Sequence, residues 1–304
     1  MNMGSLMPHR WRVKLEAGRH NEAVLGILDT PPIRPKRDGL VLFSTVGSAA
    51  VLPFLVAVKS LWAQLGRGRV VILDDGTLTA ADRTILAQHC GDPQLLRLED
   101  VPRGTFPHQG GWPALLAALD HRAGEYWLQL DCATVAVGPV WELERAIASN
   151  RSCAMLASPD SPAEPLELAA FARTCSLDLH DAQGRSESRL AQVAPGMGWK
   201  YLRGCGGLTG FAAGNGGRDL AGAFFARLLD VIDADDISAA DAITGNFLIA
   251  NEGAPVCLPP DRYLNYTGAD WGADTALVHF GPAHRYDRGA FMQASRAVIS
   301  RLTA

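Results

Sequence analysis

Hydrophobic positions along this chain alternate between two periods, and the alternation predicts its elements. Leu40-Val41-Leu42-Phe43 is a continuous apolar run, the pattern of a strand buried on both faces of a parallel sheet. Pro53 suits a first helical turn, and after it Phe54, Val58, Leu61, Trp62 and Leu65 fall on one helical face. Gly66 and Gly68 punctuate its end, and Val70-Val71-Ile72-Leu73 is a second buried strand, completing a strand–helix–strand unit. Beyond Asp74-Asp75-Gly76, Thr79 and Asp82 have the spacing of a capping box, opening a helix through Ile85, Leu86 and Cys90. A strand is predicted over 95–98, a helix over 113–121 and a strand over 125–130 that runs into Asp131. This order predicts a doubly wound α/β sheet with crossover helices on both faces.

The second half is less regular. Residues 152–158 read as a strand, 162–175 as a helix, 178–198 as a polar loop and 199–214 as a glycine-rich stretch. Amphipathic helices follow over 218–233 and from Ser238 to 250, then a late strand at 275–280 and a closing helix at 289–302. Residues 1–37 show no period and read as a leader or wrapping arm. No linker or repeat divides 38–304, which reads as one domain.

Composition narrows the function classes. With 48% apolar and 20% charged residues among 304, the chain is expected to fold. A net charge of -4 without a basic, aromatic-interleaved stripe gives no basis for nucleic acid as a partner. Arg10, Arg12, Lys14 and Arg19 are not followed by the apolar core of a secretory signal. No apolar run is read as reaching the ~18 residues that span a bilayer, so no transmembrane segment and a cytoplasmic location are expected. The six cysteines (Cys90, Cys132, Cys153, Cys175, Cys205, Cys257) lack C-x-x-C spacing and read mostly as small buried residues in a reducing compartment.

Open α/β sheets bind ligands beyond the carboxyl ends of their strands. The residues there are Ser44-Thr45-Val46-Gly47, Asp74-Asp75-Gly76, Asp131 and His279. Carboxylates at such ends accept hydrogen bonds from a ribose diol and are hard ligands for Mg²⁺ or Mn²⁺. Each also has a plainer reading: Asp-Asp-Gly is turn chemistry, and a lone histidine serves equally well in a core. Gly204–Gly210 lacks the Lys-Ser/Thr ending of a phosphate loop and reads either as a tight backbone crossing or as a close approach to a sugar. Asp233, Asp235 and Asp236 read as a solvated acidic loop. The first strand is not followed by G-x-G-x-x-G, against an NAD-binding fold, and no G-x-S-x-G elbow supports a serine hydrolase.

Taken together, four segments over residues 40–292 resemble the GT-A glycosyltransferases. They are Leu42–Gly47 with Val71–Thr79, Tyr126–Thr134, Tyr201–Phe211 with Asp241–Asn251, and His279-Phe-Gly-Pro-Ala-His-Arg285. The last is similar to the family's His-Phe-x-Gly-x-x-Arg. The resemblance implies a GT-A-like, Rossmann-type mixed, mostly parallel sheet, with 38–150 as a nucleotide-binding half and 151–304 as an acceptor half. It implies transfer of a sugar from a UDP- or GDP-sugar donor to a hydroxyl of a glycan or small-molecule acceptor. Donor contacts fall on Thr45, Val46, Gly47, Asp75, Gly76, Asp131 and Arg285, and sugar or acceptor contacts on Gly206, Gly207 and Asn246. Asp131 and His279 become ligands of Mn²⁺ or Mg²⁺, and Asp241 the base for the acceptor hydroxyl.

Two positions depart from the family. Its Asp-x-Asp is Asp131-Cys132-Ala133 here, which removes one carboxylate and implies weakened or absent metal dependence. Cationic Arg285, Arg203 or Lys200 then become candidates to stabilise the leaving diphosphate. The family's Glu-Gln pair is Asp241-Ala242. The alternative reading is a non-catalytic GT-A-like protein that binds a nucleotide sugar or a partner.

Overall fold

The computed structural model describes residues 9–175 and 181–303. The first half contains α1 (His9–Ala23), β1 (Leu40–Val46), α2 (Val51–Leu65), β2 (Arg69–Asp74), α3 (Ala80–Cys90), β3 (Gln94–Arg97), α4 (Trp112–His121), β4 (Tyr126–Leu130) and β5 (Thr134–Ala136). The second begins with α5 (Trp141–Ala148), β6 (Cys153–Leu156), β7 (Leu166–Glu167), α6 (Leu168–Ala172) and α7 (Ala182–Ser188). It continues with β8 (Lys200–Tyr201), β9 (Gly204–Phe211), α8 (Arg218–Leu229), α9 (Ala240–Asn251), β10 (Val256–Leu258), β11 (Tyr263–Asn265), β12 (Leu277–His279) and α10 (Ala290–Thr303).

A seven-stranded sheet runs β10-β6-β9-β4-β1-β2-β3. Every neighbouring pair is parallel except those made by β9, which lies antiparallel between β4 and β6. The expected mixed, mostly parallel sheet is the one observed. Its strands β1, β2 and β4 are largely apolar because each side of the pleat meets its own core. Leu40, Leu42, Val70, Ile72 and Leu128 join Phe54, Val58 and Phe291 on one face. Val41, Phe43, Val71, Leu73 and Trp127 join Leu116, Phe224 and Phe247 on the other. Period-2 side-chain placement divides each continuous run between the two cores. The capping box also forms: Thr79 accepts from the Asp82 N–H at 3.2 Å, and Asp82 accepts from the Thr79 N–H at 2.9 Å.

Several segments differ from the sequence expectation. Residues 48–65 are long and apolar enough to cross a membrane by length and composition, with a mean hydropathy of 1.5. In the fold Phe54, Leu55, Val56, Val58 and Leu61 of α2 are buried, and α2 packs against β5 and α10 as a core helix. Residues 9–23, without apolar period, form α1, docked on α10. The predicted helix at 162–175 contracts to α6, preceded by the short strand β7. Of the stretch read as a loop over 178–198, residues 178–180 lie outside the described residues. Positions 182–188 form α7, whose Asp181 cap accepts from the Gly184 N–H at 2.7 Å. The acidic run is not simply solvated either. Asp236 is buried against Arg185 at 2.5 Å, and Asp233 pairs with Arg189 at 2.6 Å. All six cysteines are free thiols; Cys90 and Cys153 are buried and the others half-buried.

A second, three-stranded sheet, β11-β12-β5, positions the site. The chain leaves β4, turns at Asp131, and enters β5, which carries β12 and then β11 beside it. The carboxyl ends of β1, β2 and β4 therefore lie next to the end of β12.

Candidate functional site

At the end of β1, Thr45 is exposed while Val46 and Gly47 are buried. Val46 is the register partner of Asp74 on β2. Asp74 is buried, pairs with Arg83 at 2.8 Å and accepts from the Gly76 N–H at 2.8 Å. Gly76 has φ of 92°, so a glycine is required at this bend. Asp74 and Asp75 thus both take part in the turn chemistry, and Asp75 also lies over the end of β1. Asp75 Oδ1 accepts from the Thr77 N–H at 2.9 Å and from its hydroxyl at 2.6 Å. A Cβ on Gly47 would overlap the Asp75 carboxylate, which explains the glycine.

Asp131 follows the apolar β4 and stays half-exposed, so its charge remains partly solvated. Its N–H donates to Gly207 O at 3.0 Å, and its Oδ1 accepts from the Ala133 N–H at 2.7 Å. That bend sends Ala133 into the core, only 2% exposed, with its carbonyl accepting from the Phe280 N–H at 2.8 Å. The position where the resembled motif has a second carboxylate is therefore packed. Between the two, the Cys132 thiol is pushed well up, mainly by burial, with Asp131 and Asp75 adding and Arg285 opposing. Those three charges gather around one sulfur.

His279 ends β12, 8% exposed, with Asn265 of β11 and Thr134 of β5 as its register partners. Its Nδ1 lies 2.9 Å from Asn265 Oδ1 and its Nε2 3.7 Å from Asp131 Oδ1. The imidazole rests on the backbone of Gly207, where a Cβ would approach His279 Cγ to 2.6 Å. Burial holds the ring's pKa below its ordinary value; Arg285 adds to this and Asp131 opposes it. Arg285 donates from Nε to Phe280 O at 3.0 Å and brings its guanidinium to 3.8 Å from Asp131 Oδ1.

A divalent cation suits part of this arrangement. Asp131 and His279 supply one carboxylate and one imidazole, with Oδ1 and Nε2 3.7 Å apart. Among the described residues no group of three or more His, Cys, Asp or Glu could hold a metal ion. Mg²⁺-type sites commonly use one or two protein ligands and complete their shell with water and phosphate oxygens. The pair fits a cation finished by a diphosphate, and does not fit one caged by protein alone.

Across β9 opens a cavity of about 380 Å³, lined by Gln129, Arg203, Cys205, Gly206, Asp241 and Asn246 among others. It adjoins the cluster through Cys205, whose sulfur is 4.0 Å from His279 Nδ1. Asp241 borders the cavity, but its Oδ1 accepts from the Ala242 N–H at 2.9 Å and its Oδ2 from the Gly111 N–H. It ties the start of α9 to the loop before α4. Asn246 braces β9, accepting from the Gly204 N–H and donating to the Tyr201 hydroxyl, both at 3.2 Å. Arg203 pairs at 2.9 Å with Glu187, whose carboxyl is raised chiefly by burial. Lys200 lies on β8 and is not a lining residue. Gln129, Glu187 and Asn265 were not singled out in the sequence. Gln129 had a faint signal, a polar residue inside the apolar strand before Asp131; the other two had none.

The fold that presents these residues is the GT-A fold of glycosyltransferases. The galactosyltransferase LgtC, solved in complex with donor and acceptor sugar analogues, superposes with a TM-score of 0.53 at 15% identity. The match covers 87% of this chain and 97% of that one. The apo structure of the bifunctional glycosyltransferase WbbM gives 0.50 at 11% identity, covering 88% of this chain and 51% of that one. Neither protein-family models nor curated protein sequences yield a match. At these identities the likeness is one of fold.

Proposed function

We propose that this protein transfers a sugar from a nucleoside diphosphate sugar, UDP- or GDP-linked, to a hydroxyl of a glycan or small-molecule acceptor. One observation carries the reading: Asp131, His279 and Arg285 converge at the carboxyl end of β4, beside a cavity of about 380 Å³. That volume lies within the ordinary range for small-ligand sites. Asp75, Thr45 and Gly47 form the rim on which the nucleoside rests, with a carboxylate available to ribose hydroxyls. The donor sugar then extends across Gly206 toward Asn246, where glycine lets backbone approach a ring closely; Gly207 is covered by the His279 imidazole and takes no sugar contact.

In the transfer, the anomeric carbon–oxygen bond to the diphosphate breaks and a bond to the acceptor oxygen forms, through a state with oxocarbenium character. Negative charge grows on the departing diphosphate, and Arg285 stands where it meets that charge. Asp131 and His279 would hold a Mn²⁺ or Mg²⁺ ion, which would add to the neutralisation of that charge. The acceptor proton passes to a base; Asp241 is the carboxylate on the cavity, and accepting that proton requires it to loosen its hold on the Gly111 N–H.

Calorimetric titration with UDP- and GDP-sugars, with Mn²⁺ and with chelator, tests the reading, together with release of nucleoside diphosphate. The expected result is binding of at least one donor, tightened by Mn²⁺, with slow hydrolysis when no acceptor is supplied. Failure of every nucleotide and nucleotide sugar to bind would falsify it. The second reading, a non-catalytic binder, is favoured by the engaged oxygens of Asp241 and the packed Ala133. Donor binding with neither hydrolysis nor transfer to any acceptor decides for it.

A further inference from the structure

We infer that Asn265 is the positioning residue that locks His279 in a single tautomer, so that a bare Nε2 faces Asp131. The inference rests on the reading of Asp131 and His279 as the cation-side groups of a donor site. Its first support is the orientation of the Asn265 amide. Nδ2 donates to Leu156 O at 3.0 Å and to Ala157 O at 2.9 Å, which uses both of its hydrogens. Only Oδ1 is left for His279, 2.9 Å from Nδ1. An amide oxygen carries no hydrogen, so Nδ1 must donate. The flipped amide would place an oxygen against two carbonyl oxygens and lose both of those hydrogen bonds.

The second support is rigidity. Asn265 and His279 are register partners on paired strands, and the Tyr266 N–H donates to His279 O at 2.9 Å. Gly207 lies beneath the imidazole and Thr134 beside it in register on β5. The competing acceptor for Nδ1–H is Cys205 sulfur, at 4.0 Å, too long and too weak to displace an amide oxygen at 2.9 Å. With Nδ1 protonated in the neutral ring, Nε2 offers a lone pair to Asp131 Oδ1 at 3.7 Å. Two acceptors 3.7 Å apart leave room for an electropositive group bridging them, beside the Ala133 N–H and the Arg285 guanidinium that already face Asp131 Oδ1. A histidine that ligates a metal is commonly held by a hydrogen bond from its other nitrogen, and losing that support costs roughly 10- to 100-fold in metal affinity.

Long-range ¹H–¹⁵N spectra of histidine-labelled protein at pH 8, with His279 assigned by comparison with His279→Gln, read the tautomer directly. The expected pattern is a protonated Nδ1 and an unprotonated Nε2; a protonated Nε2 overturns the inference. The second arm measures free Mn²⁺ by electron paramagnetic resonance with UDP and, separately, GDP present, in the wild type and in Asn265→Ala. Mn²⁺ affinity is expected to fall about 10- to 100-fold while affinity for the nucleoside diphosphate in chelator stays unchanged. Equal losses in both, or none in Mn²⁺ affinity, overturn the positioning role. If neither UDP nor GDP binds under any condition, the sugar-transfer reading ends instead, and the spectra still decide the tautomer.

Discussion

A single hydrogen atom at Gly207 is what allows His279 to lie against β9. A methyl group there would come within 2.6 Å of Cγ and 2.7 Å of Cβ of His279. The ring cannot yield easily, because Asn265 holds it at one edge and β12 is paired on both sides. Gly207→Ala is therefore expected to lower stability by about 1–3 kcal/mol, the usual cost of overpacking a filled site. It should also abolish the Mn²⁺-dependent part of donor binding. Gly206→Ala is the control for stability alone, since a Cβ on Gly206 meets no other atom within 4 Å. Urea midpoints of the two variants side by side, and donor titration of Gly207→Ala with Mn²⁺ and with chelator, check this; equal urea midpoints would count against the packing argument. The same scale explains what could be read from sequence. Asp131 was legible because a carboxylate ending an apolar strand is conspicuous. Asn265 was not, because an amide in a three-residue strand leaves no periodic trace, and what orients it toward His279 is a pair of carbonyls more than 100 positions away.

Among the elements, β9 was the hardest to anticipate. β1, β2 and β4 announced themselves through apolar residues on both faces, the requirement of a strand with a core on each side. β9 has few such residues; its glycines instead admit groups from its neighbours. At Gly210 a Cβ would overlap the Tyr126 hydroxyl, which donates to Arg151 O at 2.9 Å, and would stand 2.7 Å from Cys153 sulfur. At Gly204 it would meet Asn246 Oδ1 at 2.8 Å. The tight-crossing reading of these glycines thus has direct contacts behind it, whereas the sugar-approach reading applies to Gly206, whose Cα faces open space. Gly210→Ala is expected to weaken the β4–β9–β6 junction by about 1–3 kcal/mol, with little change for Gly214→Ala, which has open space around it. Chemical denaturation of both variants measures the difference. A Gly210→Ala protein as stable as the wild type would mean that Tyr126 relocates without penalty.

Across the whole molecule, the two ends of the described chain meet where α1 docks on α10. His20 of α1 is 2% exposed and stacks on Phe291, with ring centroids 3.9 Å apart. Ser295 gives its hydroxyl hydrogen to Phe291 O at 2.8 Å, so it accepts from His20 Nε2–H at 3.1 Å. Burial lowers the His20 pKa from 6.5 to about 4, the Asn21 side chain opposing and the positive charge of Arg285 adding a smaller push downward. Native His20 is therefore neutral, and the sign follows from which state takes up the proton first. Above pH 6.5 the ring is neutral in both folded and unfolded chains, and stability is unaffected. As pH falls from 6.5 toward 4, the unfolded chain binds the proton and the native one does not, so stability is lost through that window. Between pH 7.5 and 5 the loss attributable to this one group is about 2 kcal/mol. His20→Met keeps an apolar contact with Phe291 and leaves the Ser295 hydroxyl bonded to Phe291 O, but has no proton to exchange. Its stability should fall less than that of the wild type over the same interval, whatever other groups titrate, because they are common to both proteins. Parallel pH dependences for the two would show that α1 detaches before His20 is charged, or that its ring is solvated in the folded chain.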